Sequence, residues 1–124
     1  MKAKFFLAAC LFCLCFWQAM TAQNAYPKRE FRGAWIQCVN GQFQGMPART
    51  MQTVLVNQLD KLKEAGINAI IFQVRAECDA LYRSSYEPWS RFLTGVQGQA
   101  PTPMWDPLQF MIDECHKRGM ELHA

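Results

Sequence analysis

Twice along this chain a helix-periodic stretch ends in a glycine, and an apolar residue and a strand-like run follow with no loop between them. The two junctions are Gly66-Ile67 and Gly119-Met120. A left-handed residue is favoured just past a helix, and the next apolar side chain folds back on the last turn. Upstream of Gly66, Thr50 to Ala65 reads as a helix with Thr50 as N-cap, since Met51, Val54, Leu55, Leu59 and Leu62 recur at three- and four-residue steps. Upstream of Gly119, Asp106 is the expected N-cap and Pro107 the N1 residue. Gln109 at N3 completes a capping-box pattern, and Leu108, Met111, Ile112 and Cys115 form the apolar stripe. Lys117 and Arg118 close that helix, where cations suit the dipole.

Strands fill the remaining places. Phe31 to Gln37 reads as the first, and Asn68 to Val74, almost continuously apolar, as the second; Glu121 to Ala124 begins a third. A nearly unbroken apolar strand suits a sheet covered on both faces. Strand, helix, strand, helix, strand predicts right-handed βαβ units in a parallel sheet. Three strands and two helices leave sheet edges unpaired, so the expectation is an incomplete chain that lacks further βα units. Between the second strand and second helix lies a long segment, Ala76 to Trp105, with Tyr82, Tyr86, Trp89, Phe92 and Trp105 among Pro, Gly, Ser and Thr. Segments of this length inside a domain tend to be functional.

The N-terminus carries a different signal. Lys2 and Lys4 precede an apolar run from Phe5 to Trp17, and small residues follow near Ala19 to Ala22. This reads as a signal peptide over residues 1–22, with a polar linker over 23–30 and an exported product. The run is shorter than the roughly 20 apolar residues a spanning helix needs, so no membrane span is expected. Leu7-Ala8-Ala9-Cys10 resembles a lipoprotein box, and a lipid anchor at Cys10 is the competing reading, weakened by the short apolar run before it. Of 13 bases, 11 remain once Lys2 and Lys4 are removed, against 10 acids. That balance gives no nucleic-acid footprint. Cys38, Cys78 and Cys115 form an odd set without metal-like spacing. An exported chain permits disulfides, although small buried hydrophobes are the plainer reading.

Four ordered segments resemble one family. They are Phe31 to Trp35, Phe72 to Tyr82, Glu87 to Gly95, and Trp105 to Leu108 continuing through Glu114 to Ala124. Together they resemble the glycosyl-hydrolase-like 10 family of bacteria across almost all of residues 31–124. The resemblance implies a (β/α)8 TIM-type barrel, of which the first three strands and two helices are present. It also implies an exported location and action on cell-envelope polysaccharide, including peptidoglycan strands freed of their peptides.

In such barrels the site lies at the carboxyl ends of the strands and in the loops that follow. That rule selects Gln37, Arg75, the 76–105 segment and His123. Glycoside hydrolysis usually needs two carboxyl groups flanking the scissile bond. Glu77, Asp79, Glu87 and Asp106 are on offer, with Asp106 expected as a cap. Catalytic carboxylates of related barrels follow later strands, so no catalytic residue is assigned and the segment alone is expected to be inactive. Arg75 is the leading binding candidate, because its rigid donor fork suits paired hydroxyl or carboxylate oxygens. Its plainer role is an ion pair with Glu77 or Asp79. Those acids could line a sugar site, or simply be solvated or paired with Arg75 or Arg83. Gln73 shares the face of Arg75 and could bond a sugar hydroxyl or satisfy a backbone group. Tyr82, Tyr86 and Trp89 could stack on sugar faces, although Trp89 is more readily an anchor for the loop. Trp35 is expected in the core or near the barrel mouth, and His123 could face the site. His116 is expected exposed, and the two histidines belong to different elements, so no metal site is expected. No cofactor is expected either: a phosphate loop, nucleophile elbow and zinc-hydrolase motif are all lacking. The partner is thus a polysaccharide. A non-catalytic envelope-glycan binding module is the alternative function, and a nucleotide-binding α/β domain the weakest.

Overall fold

The computed structural model of the chain describes residues 30–124. The expected signal peptide, the lipid-anchor reading at Cys10 and most of the linker lie outside the described residues. Among the described residues six elements follow one another: β1 (Gly33–Ile36), α1 (Ala48–Glu64), β2 (Ala69–Phe72), α2 (Arg91–Thr94), α3 (Pro107–Lys117) and β3 (Glu121–His123). The sheet order is β1-β2-β3 and both pairings are parallel. Trp35, Ile71 and His123 share one row across the sheet, and Ala34, Ile70 and Leu122 the next.

Alternate residues of a strand point to opposite faces. Ile36, Ile70, Phe72 and Val74 are buried in one cluster with Met51, Leu55 and Leu59 of α1 and Met111 and Cys115 of α3. Both long helices therefore cover the same face. The opposite face carries Trp35, Ile71, Gln73 and His123, and Trp35 is 63% exposed there. The apolar stripe of α1 comes from the spacing of Met51, Leu55 and Leu59, all wholly buried.

The helix ends show what the sequence fixes locally. At the α1 exit the Gly66 N–H donates to Lys63 O (2.9 Å) and the Ile67 N–H to Leu62 O (3.0 Å). At the α3 exit Gly119 and Met120 donate to His116 O and Cys115 O, each at 3.0 Å. Both are Schellman turns, with Gly66 at φ +84° and Gly119 at φ +62°. The start of α1 differs from expectation. The helix runs back to Ala48, with Pro47 at the N-cap and no side-chain cap, so Thr50 lies inside the first turn. Ala48 and Arg49 are good helix formers, and the fixed φ of Pro47 lets the chain enter the helix directly. At α3 the Asp106 Oδ1 accepts from the Gln109 N–H at 3.0 Å, as a cap should. The return half of the capping box is not made, because Gln109 Nε2 donates forward to Asp113 Oδ1. Arg118 then joins the two helices. Its Nε donates to Asp60 Oδ1 on α1 and its Nη1 to Glu114 Oε2, both at 2.7 Å.

The 76–105 segment is more ordered than its composition suggests. Ala80 and Trp89 form a parallel bridge, flanked by Ala80 N–H to Pro88 O and Ser90 N–H to Ala80 O, both 2.9 Å. Ser90 caps α2, which ends at Gly95 with φ +91°. The Leu81 N–H donates to Val74 O (2.9 Å), which folds the segment back onto the end of β2.

Candidate functional site

The parallel order brings the carboxyl ends of all three strands to one rim. Beyond β2 the chain continues as Gln73, Val74, Arg75, Ala76, Glu77, Cys78 and Asp79, and this stretch organises the rim. Arg75 does not pair with Glu77 or Asp79. Its Nη2 forms an ion pair with Glu87 Oε1, and the Tyr82 hydroxyl donates to Glu87 Oε2 at 3.0 Å. Glu87 is itself held by a tight turn, since Ser84 Oγ accepts from the N–H groups of Tyr86 and Glu87, each at 3.1 Å. Arg83 takes no part in an ion pair with Glu77; its N–H donates to Asp106 Oδ2 at 2.9 Å, which ties the turn to the start of α3. A groove of about 340 Å³ runs over Tyr82, Ser84, Ser85, Tyr86 and Glu87. Burial raises the Tyr82 pKa, and the hydrogen bond to Glu87 and its charge add to that. Tyr82 thus stays a protonated donor.

Glu77 is engaged elsewhere. Arg91 Nε donates to its Oε2 and Arg91 Nη2 to its Oε1, both at 2.7 Å. This two-pronged contact holds the Glu77 carboxyl below the usual range. Asp79 is wholly buried rather than solvated. Its Oδ1 accepts from the Glu77 N–H at 3.2 Å, and its Oδ2 has no hydrogen-bond partner among the described residues. Burial, and secondarily the charge of Asp79, pushes the Cys38 thiol up to about 11.

The remaining candidates take separate places. Gln73 Oε1 accepts from the Cys38 N–H at 3.2 Å, so its carbonyl satisfies the backbone beyond β1. Trp35 is not in the core. Both long helices cover the other face, which leaves it exposed beside a cavity of about 470 Å³ shared with Gln37, Gln58 and Lys61. His123 Nε2 lies 3.2 Å from Glu121 Oε2, and Phe31 meets the ring edge-on at 5.5 Å. Tyr86 is 95% exposed, Tyr82 is half-buried, and Trp89 packs against the core through the Ala80 bridge. His116 is exposed. Among the described residues no disulfide forms: Cys38 and Cys115 are buried, whereas Cys78 is exposed and is not the buried hydrophobe expected. Nor does any group of three or more His, Cys, Asp or Glu gather there to hold a metal ion. No helix among them is long and apolar enough to cross a membrane.

Sequence reasoning names Glu87 only as one of four available carboxylates and misses Arg91 altogether; Glu87 joins Arg75 to Tyr82, and Arg91 fixes Glu77. Their partners are 12 and 14 positions away in sequence for the ion pairs, so no local spacing reveals them. The Ser84 to Glu87 spacing is the one local signal, as serine hydroxyls cap turns of this kind.

The fold is a parallel α/β arrangement with two long helices on one face and a polar rim, and sequence comparison identifies its family. Residues 30–124 match the model of the glycosyl hydrolase-like 10 family, and the chain belongs to that family. It is 42% identical over 105 residues to glycosyl hydrolase YngK of Bacillus subtilis (strain 168), covering 82% of this chain and 20% of that protein. It is 39% identical over 117 residues to glycosyl hydrolase DigH of Escherichia coli (strain K12), covering 86% of this chain and 26% of that protein. The chain thus spans about a fifth to a quarter of the length of these relatives.

Proposed function

We propose that the chain is the N-terminal part of an exported glycoside hydrolase acting on cell-envelope polysaccharide, with peptidoglycan glycan strands the favoured substrate. In this reading β1 to β3 are the first strands of a (β/α)8 barrel, and residues 1–22 are a signal peptide. Three things support the barrel: the sequential parallel order, the placement of α1 and α3 on one face, and the share of the relatives' length covered. A doubly wound sheet would carry helices on both faces.

The observation that carries the functional reading is the joining of Arg75, beyond the end of β2, to Tyr82 through Glu87, with Tyr82 and Glu87 lining an open groove. Arg75 is half-exposed, and a guanidinium engaged through Nη2 keeps further donors that suit paired sugar oxygens. Tyr82 presents an amphipathic ring next to it. The carboxylate pair for hydrolysis lies beyond Ala124 in this account. Near the rim Glu77 is held by Arg91, Glu87 by Arg75 and Tyr82, and Asp106 by its cap, while Asp79 is buried. The same engagement favours the second reading, a non-catalytic glycan-binding module.

The test is sedimentation of the full-length protein with insoluble peptide-free glycan strands. Arg75→Ala and Tyr82→Ala are each expected to weaken retention about tenfold, a change of ~1.4 kcal/mol. Retention equal to wild type in both would contradict the site. Release of soluble saccharide separates the hydrolase from the binding module.

A further inference from the structure

We propose that Glu87 is a positioning residue that holds Arg75 and Tyr82 as a single sugar-binding unit; this rests on the site reading given above. Its two carboxylate oxygens are divided between the two partners, Oε1 to the Arg75 guanidinium and Oε2 to the Tyr82 hydroxyl. A flexible arginine at a strand end loses considerable rotamer freedom when it binds a ligand. Glu87 removes that freedom beforehand by engaging Nη2, while the Arg75 side chain as a whole stays half-exposed. The tyrosine is fixed in the same way, its hydroxyl donating to the carboxylate, and both Tyr82 and Glu87 line the groove.

Glu87 is fitted for this role by its own support. Its side chain is 20% exposed, whereas that of Arg75 is 53% exposed. The Ser84 hydroxyl fixes its backbone, and the neighbouring Arg83 N–H is anchored on Asp106 at the α3 cap. The carboxylate is thus tied to the framework, and the two contact residues are tied to the carboxylate. The second ion pair of the rim, Glu77 with Arg91, joins the same two stretches without touching Tyr82. Holding the segment in place therefore does not depend on Glu87 alone.

The test uses the full-length protein, peptide-free glycan strands, and the tyrosinate absorbance step that Tyr82→Phe removes. Glu87→Gln keeps the shape and an acceptor for Tyr82 but removes the charge facing Arg75 and Tyr82. It is expected to weaken retention three- to tenfold and to move the Tyr82 step to lower pH. Glu87→Gln with unchanged retention, while Arg75→Ala is defective, would overturn the positioning role and leave the site standing. Unchanged retention in both would overturn the site as well. The charge-swapped pair Arg75→Glu with Glu87→Arg covers a loss of folding in the single variant. A positioning role predicts that the swap recovers the melting temperature but not retention. Recovery of both would show that the pair is merely structural.

Discussion

Gln73 and Arg75 lie two residues apart just beyond β2, yet they serve different ends. Gln73 turns its carbonyl to the Cys38 N–H, and Arg75 reaches out to Glu87. Strand alternation predicts a shared face for the two, but β2 ends at Phe72, before either residue. It could not assign partners, because Glu87 comes back to the rim only through a turn that Ser84 closes. Trp35 shows the same limit. Its large apolar side chain argues for a place in the core or near a barrel mouth, but which face the helices cover, and so that Trp35 lies outside the core they form with the sheet, is decided by chain topology. The cysteines separate by burial. Cys38 and Cys115 are pushed to about 11, first by burial, whereas Cys78 is exposed at φ +53°. Thiolate is the reactive form. An alkylating reagent at pH 8 is therefore expected to modify Cys78 quickly in the folded protein, and Cys38 and Cys115 only on unfolding, as peptide mass mapping would show.

At the level of elements, the sequence was most legible where a local rule suffices. Gly66-Ile67 and Gly119-Met120 both form the expected turns, and Asp106 caps α3. Thr50 failed as a cap because Pro47, three residues earlier, already provides a suitable entry. Asp106 has more to do than a cap alone, since its second oxygen accepts from the Arg83 N–H. Asp106→Ala is accordingly expected to destabilise the fold by about 1–2 kcal/mol, measurable as a lower urea midpoint of the full-length protein. The α3 exit also carries a pH dependence. Lys117, and next Arg118, hold the Glu114 carboxyl below its ordinary range. A depressed acid stabilises the fold above its unfolded pKa, and this contribution is lost as pH falls through the lowered folded value. Glu114→Gln should lower the melting temperature at pH 7 and leave it close to wild type in strong acid. An equal loss at both pH values would contradict this.

For the whole molecule, the alternation of strands and helices already implied a parallel sheet, and the sheet is parallel in the order β1-β2-β3. Helices on one face leave Trp35, Ile71 and His123 on the other, the side that faces inward in a closed barrel. The proposed rim site follows from that geometry, because parallel strands deliver all their carboxyl ends to one end of the sheet. The most direct measurement is a crystal structure of the full-length protein with a short glycan bound. The account predicts saccharide against Arg75 and Tyr82 at the carboxyl ends of the strands, with Trp35 and His123 facing a closed cylinder. Saccharide at the amino ends of β1 to β3, or helices packed over Trp35 and His123, would contradict it.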